Sequence, residues 1–161
     1  MGEAYLKPWF AVRVRSRSER VCAQGFVIRG IDHFLPTYVV KRQWSDRMSN
    51  VEEPLFPGYI FCQLGAKRFI PILETPGVVQ VLNEPVDPIE MSSIQKLVEH
   101  GGAIPWPYLE KGQRVRMTKG AFRGLEGLLE SADGRSRVVV NIQLLHKAIA
   151  VEVDRDLIEP C

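Results

Sequence analysis

The chain is expected to fold as an α+β protein: an N-terminal α/β sandwich with a mainly antiparallel sheet, a linker, and a small C-terminal barrel of five short strands. Three observations carry that expectation. Residues 9–15 alternate apolar and polar positions and run into a helical stretch, a β-α opening. Residues 101–111 contain two glycines and two prolines without any periodic pattern, the composition of a connection between compact parts. Beyond them, about fifty residues divide into five short strand-like segments parted by turn residues, the pattern of a small barrel. The expected boundaries are residues 1–101, a linker over 102–111, and residues 112–161.

In residues 9–15, Phe10, Val12 and Val14 fall on one face, and Ala11, Arg13 and Arg15 on the other. This is the period of a half-buried strand with its arginines in solvent. Ser16 and Glu19 have capping-box spacing, and Val21, Gly25 and Ile28 recur at helical intervals before Gly30, a C-terminal stop. Residues 34–41, rich in Tyr, Thr and Val, predict a second strand; residues 45–50 form a polar tip from which the chain returns to complete a long hairpin. On the return, Pro54-Leu55-Phe56-Pro57-Gly58-Tyr59 breaks the strand and sets Phe56 apart, available to a partner. Residues 68–74 predict a short helix, ended by Thr75-Pro76-Gly77 before an apolar strand over 78–82.

Asp87-Pro88-Ile89-Glu90 supplies an N-cap, a proline at the first helical position and an acid in the first turn. The helix it opens is expected to reach His100, with Met91, Ile94, Leu97 and Val98 on one stripe and Gly101-Gly102 at its end. The barrel strands are expected over 114–118, 125–132, 137–145, 148–153 and 157–159. Gly120, Gly124, Asp133-Gly134 and His146-Lys147 separate them.

Composition excludes several classes. With 45% hydrophobic and 25% charged residues the chain resembles soluble globular proteins rather than disordered or fibrous ones. Twenty-one Lys and Arg against nineteen Asp and Glu leave a net charge of +2, so the distribution of charge is more informative than its sum. The apolar run over residues 59–64 is far shorter than the ~20 residues that span a bilayer. The start, Met1-Gly2-Glu3-Ala4-Tyr5-Leu6-Lys7, has neither a signal-peptide core nor a myristoylation signal, so a cytoplasmic location is expected. Cys22, Cys62 and Cys161 are odd in number and widely separated, which reads as reduced thiols.

No Ser-His-Asp, paired-carboxylate or phosphate-loop spacing occurs, and His33, His100 and His146 stand apart from other metal-ligating residues. The expectation is a non-enzyme that uses no cofactor and no metal.

Lys111-Gly112-Gln113-Arg114-Val115-Arg116-Met117-Thr118-Lys119-Gly120-Ala121-Phe122-Arg123-Gly124-Leu125-Glu126-Gly127 resembles a KOW motif, the strand-loop-strand element of small SH3-like barrels in transcription and ribosomal proteins. Gly120 and Gly124 suit a tight connection, Phe122 can plug one end of the barrel, and Gly127 permits close backbone approach between strands. An unrelated SH3-like barrel with glycine turns fits the same segment. Trp9-Phe10-Ala11-Val12, Phe56-Pro57-Gly58-Tyr59 and Thr75-Pro76-Gly77-Val78 add to it, in the order found in NusG N-terminal domains. Together these motifs cover nearly the whole chain, which thus resembles the NusG family of transcription elongation factors. Glu53-Pro54-Leu55-Phe56-Pro57 and the short length are similar to the specialised antiterminator branch of that family.

The resemblance implies a monomeric factor whose N-terminal domain binds the clamp helices of RNA polymerase through an apolar surface and bridges the DNA channel. Carried over by motif, Phe56, Pro57, Tyr59 and Trp9 are the polymerase-binding candidates; Tyr59, at the start of a regular strand, fits core equally well. Arg13, Arg15, Arg17 and Arg20 lie within eight residues and form a basic patch, with Glu19 inside it. In the family this region lies near upstream DNA, and in the specialised branch it touches the non-template strand, which suits phosphate neutralisation or base stacking. A solvated face is the alternative.

That branch also carries a His-Thr-Thr run that touches the opposite pincer of polymerase, where this chain has Arg68-Phe69-Ile70-Pro71, a departure that removes identical contact chemistry. The barrel is implied to recruit the termination factor Rho or a small-subunit ribosomal protein. Phe122, Ile142, Leu144 and Leu145 are the candidates, at least one of the last three belonging to the barrel core.

The family also includes members whose C-terminal domain refolds between an α-hairpin and the barrel. Residues 125–130 and 142–150 accept helix, while Val138, Val139, Val140, Ile142, Val151 and Val153 favour strands, so the barrel is expected. A ribosome-associated or RNA-binding KOW protein is the competing function. The near-neutral charge and the lack of Lys/Arg-rich tails speak against it.

Overall fold

The computed structural model describes residues 7–65 and 69–161; the readings of residues 1–6 and of Arg68 lie outside them. In chain order the elements are β1 (Trp9–Val14), α1 (Glu19–Ile28), β2 (His33–Phe34), β3 (Thr37–Trp44), β4 (Arg47–Pro54), β5 (Tyr59–Gln63), α2 (Ile70–Leu73), β6 (Val78–Pro85) and α3 (Pro88–His100). The strands β7 (Ile104–Trp106), β8 (Gln113–Met117), β9 (Glu126–Ala132), β10 (Arg135–Ile142), β11 (Lys147–Val153) and β12 (Ile158–Pro160) follow. They group into two compact units, Met1–Pro36 with Phe56–Pro88 and Thr37–Leu55 with Ile89–Cys161.

The first unit is an antiparallel sheet in the order β2-β5-β1-β6. The register Phe10↔Cys62 and Val12↔Ile60 turns Phe10, Val12, Val14, Ile60 and Cys62 to one face. Cys22 and Phe26 of α1, Ile72 of α2 and Val81 of β6 complete a core there, in agreement with the alternation of residues 10–14. The reverse face departs from the expected polar side. Ala11 is fully buried, because its neighbours there are the aromatic rings of Trp9, Phe34 and Phe61 rather than water.

Helix α1 also differs from its reading. It begins at Glu19 after Ser18, which makes no side-chain capping bond, and its buried residues are Glu19, Cys22, Gly25 and Phe26. Val21 and Ile28 are instead 57% and 82% exposed. The apolar stripe is turned by one position because Gly25 alone leaves room for Thr75, whose Cγ2 would stand 2.7 Å from a Cβ at that site.

In the second unit, β3 and β4 form an isolated two-stranded hairpin in register from Thr37↔Pro54 to Trp44↔Arg47. Its tip is Ser45-Asp46, shorter than expected because pairing continues through residues 47–50. Helix α3 has the expected span, with Met91, Ile94 and Leu97 buried and Val98 half-buried. The barrel sheet runs β12-β8-β9-β10-β11-β7, so residues 125–150 stand as strands rather than as a helical hairpin. The sixth strand comes from the segment read as linker: Ile104 pairs with Ala150 and Trp106 with Ala148. Gly127 lies where a Cβ would meet Val139 O at 2.6 Å, the close approach its position in the motif predicts.

Candidate functional site

The arginines and the Phe-Pro-Gly-Tyr loop meet at one corner of the first unit, where β1 passes into α1. Two turns build that corner. In residues 56–59 the Tyr59 N–H donates to the Phe56 carbonyl at 3.0 Å, and in residues 75–78 the Val78 N–H donates to the Thr75 carbonyl at 3.2 Å. Proline stands second in both, and the third residues, Gly58 and Gly77, have φ of 88° and 95°. That is the geometry of a type II turn, in which proline presets one angle and glycine takes the left-handed one.

Both turns dock on consecutive residues of β1. The Val14 N–H donates to the Gly58 carbonyl at 2.9 Å, and the Arg15 N–H donates to the Gly77 carbonyl at 2.8 Å. The first turn is fixed a second time, since the Gly58 N–H donates to Glu19 Oε2 at 2.8 Å. This corrects the capping-box reading: Glu19 is buried, and its carboxylate holds the loop instead of the helix start. The second turn is fixed by Cys22, whose thiol donates to the Pro76 carbonyl at 3.3 Å. Burial and then the nearby Glu19 charge raise the Cys22 thiol above its usual range. Burial, with Cys22 beside it, pushes Cys62 up to about 12.

Arg13, Arg15, Arg17 and Arg20 are all exposed on this corner. The Ser18 N–H donates to the Arg15 carbonyl at 2.9 Å, closing a turn in which Arg17 takes φ of 62°. A non-glycine residue in that region costs about 1–2 kcal/mol, which the docked turns on either side offset. Pro57 is exposed, and half-buried Tyr59 lies directly across from Arg13 in the β1–β5 pairing, so the two share a face.

Trp9 is on that face too, but it sits at the other end of β1 opposite Gln63, edge-on to Phe34 at 6.2 Å. Phe56 is not presented to a partner. It is 1% exposed, packed edge-to-face on Phe61 at 5.7 Å, because the turn that exposes Pro57 swings the preceding side chain inward.

In the barrel, Ile142 and Leu145 are buried, so the core role expected of at least one of Ile142, Leu144 and Leu145 falls to two of them and neither is open to a partner; Leu144 and Phe122 are half-buried. The cause is a 3-10 turn over Gln143–Leu145 that ends β10 early and folds Leu145 back inward. Phe122 packs edge-on against His100 at 5.5 Å. Sequence reasoning passed over the aromatics around β7, where Tyr108 stacks on His146 at 4.0 Å and Arg137 lies 4.4 Å over the Trp106 ring. Aromatic residues inside a supposed linker were the signal for them. Among the described residues no group of His, Cys, Asp and Glu is arranged to hold a metal ion.

Residues 7–98 match the family described as "Transcription termination factor nusG", more than half of the chain. The chain belongs to the NusG family. It is 25% identical over 170 residues to the transcription termination/antitermination protein NusG of Lactococcus lactis, covering 94% of this chain and 91% of that one. The NusG of Escherichia coli strain K12 is also 25% identical, over 179 residues and 99% of both chains. Among solved structures, one titled "Domain interaction in Thermotoga maritima NusG" superposes with a TM-score of 0.57 at 20% identity, over 95% of this chain and 96% of that chain. The NusG-type α+β fold, with a small C-terminal β domain, is thereby shared. The relatives are named for transcription termination and antitermination, and membership of this family gives the chain a transcription-factor role. Among the described residues no helix is long and apolar enough to cross a membrane.

Proposed function

We propose that this chain is a transcription elongation factor that binds RNA polymerase through its N-terminal part and modulates pausing, termination or antitermination. The observation that carries the reading is the corner itself. Two Pro-Gly turns, hydrogen-bonded to Val14 and Arg15, hold Pro57 and Tyr59 beside Arg13, with Arg15, Arg17 and Arg20 exposed next to them. An aromatic and a proline on a fixed turn suit the clamp helices of polymerase, since rigid aromatics anchor interfaces with little ordering entropy to lose. The adjoining arginines suit the phosphates of upstream or non-template DNA, which lies beside a factor so bound. The barrel then meets a second partner, Rho or a small-subunit ribosomal protein, with half-buried Leu144 and Phe122 as the available apolar contacts.

Buried Phe56 supports the turn from inside rather than touching polymerase, so its truncation would remove core packing worth about 3–5 kcal/mol and blur any binding result. Tyr59→Ala is the better probe. In a pull-down of purified bacterial RNA polymerase by the full chain, wild type is expected to retain polymerase, and Tyr59→Ala to bind about thirty-fold more weakly, the loss typical of an interface anchor. A wild-type chain that retains no polymerase overturns the reading; a Tyr59→Ala variant that binds like wild type removes Tyr59 from the interface.

A further inference from the structure

We propose that the tip of the β3–β4 hairpin is a stacking platform for unpaired nucleic acid, separate from the arginine corner of β1 and independent of the polymerase reading. Among the described residues, β3 and β4 pair only with each other. At the hairpin's tip, Trp44 is 52% exposed and Met48 60% exposed, so a large part of each side chain is open to solvent. A half-exposed indole beside a two-residue turn, with Met48 near it, is an apolar surface available to a partner.

The ring is nonetheless held in place, because Trp44 Nε1 donates to Ser49 Oγ at 2.6 Å across the strands. That bond occupies the one polar group of the indole, so what the ring still offers a partner is apolar. Pairing and pleat place cations around it. Arg47 is directly opposite Trp44, and Arg42, two residues back and opposite Ser49, lies on the same face. The Arg42 guanidinium is steadied by an ion pair with Glu53, which draws it toward the base of the ribbon. Lys41 adds a third exposed cation on the other face.

Charge is graded along the ribbon. Arg47 at the tip and Lys41 further back have Asp46 as the acid of the turn, whereas Glu52 and Glu53 lie at the base, where Glu53 takes up Arg42. An exposed, oriented aromatic ring with a guanidinium beside it and a further cation on the ribbon is a combination that binds single strands: any base offers a π-face to the indole, and its phosphates meet the cations. Duplex fits less well, because its bases are already stacked on one another and would have to be opened to reach the indole.

The test is fluorescence anisotropy of a short fluorescein-labelled oligothymidylate, titrated with the full chain at several salt concentrations. Wild type is expected to bind. Trp44→Ala should weaken binding about 5- to 150-fold, the range for loss of one stacked base, while Trp44→Phe keeps most of the affinity. Arg47→Gln should reduce the slope of log affinity against log salt by about 0.7, the single-strand value for one phosphate contact. Replacing Arg15, Arg17 and Arg20 together by Ala should leave the Trp44→Ala effect in place. The proposal is overturned if wild type does not bind, if Trp44→Ala stays within twofold of wild type, or if Trp44→Phe loses as much as Trp44→Ala. Equal dependence on Trp44 for a duplex of the same sequence also overturns it.

Discussion

Gly58 and Gly77 occupy the same position of two similar turns, with φ of 88° and 95°, and a methyl group added at each separates backbone strain from crowding. At Gly58 the nearest atom to a new Cβ is Val14 O at 4.0 Å, ordinary contact, so Gly58→Ala carries strain alone, about 1–2 kcal/mol. At Gly77 the Cβ would stand 2.6 Å from Cys22 Sγ and 3.3 Å from Ser18 Cβ. Cys22 is fully buried and its thiol is committed to the Pro76 carbonyl, so it has little room to retreat. Overpacking of that kind adds about 1–3 kcal/mol, for a total of about 2–5 kcal/mol at Gly77→Ala.

Urea unfolding followed by circular dichroism measures the difference, given an unchanged m-value. The excess at Gly77 should vanish in a Cys22→Ala background, where the obstructing sulfur is gone, and a double-mutant cycle isolates that coupling. Equal losses at the two glycines, or an excess that survives Cys22→Ala, would refute the crowding argument and with it the claim that α1 fixes the second turn.

The barrel offers a harsher case: Gly127→Ala puts a Cβ 2.6 Å from both Val138 Cγ1 and Val139 O, and since one neighbour is backbone, a loss of about 3 kcal/mol is expected by urea titration. A loss under about 1 kcal/mol would mean that β9 and β10 can part at that point, against the rigidity of a closely packed interior. The thiols differ in reach. At pH 8 a thiol-specific reagent should modify exposed Cys161 in the folded chain and leave Cys22 and Cys62 intact, because Cys62 at about 12 carries almost no thiolate and both are buried. The sign for stability follows from the raised folded value: the contribution of Cys62 is whole below the usual 9.0 and declines as pH rises from there to about 12, where unfolded thiol ionises and folded thiol does not. Chemical unfolding of wild type and Cys62→Ala across that window checks it; parallel curves would contradict the assignment.

Periodicity was legible in the sequence wherever one face of an element is buried and the other wet. The strand of residues 9–14 and the helix of residues 88–100 obey it, and their cores lie where alternation and the 3.6-residue stripe put them. It failed where both faces are covered, as at Ala11, and where a polar residue goes inward for a bond, as at Glu19. Phe56 shows the limit of local turn chemistry. Pro57 and Gly58 announce a type II turn, but nothing local says that the residue before it points at Phe61, a partner fixed only by the pairing of β5 with β1. Trp106 and Tyr108 were overlooked for the opposite reason, since prolines on either side made an edge strand read as a linker; edge strands are where a sheet tolerates proline.

Besides presenting Pro57 and Tyr59, the motifs that mark the family support the arginine surface of the proposed reading from behind. Phe-Pro-Gly-Tyr and Thr-Pro-Gly-Val contribute mainly backbone: two carbonyls for Val14 and Arg15, and one N–H for Glu19. None of those groups needs to touch a partner. Their effect is to hold the end of β1 and the start of α1 at one geometry, so that arginines on a connection that otherwise would fray are displayed together. Phosphate binding depends on how many cations are held within reach of one backbone, and a rigid corner forfeits less ordering entropy on contact than a loose one. In the proposed reading the turns act on affinity through Arg13, Arg15, Arg17 and Arg20. Loosening either turn should weaken nucleic-acid contact even though no turn residue carries a charge.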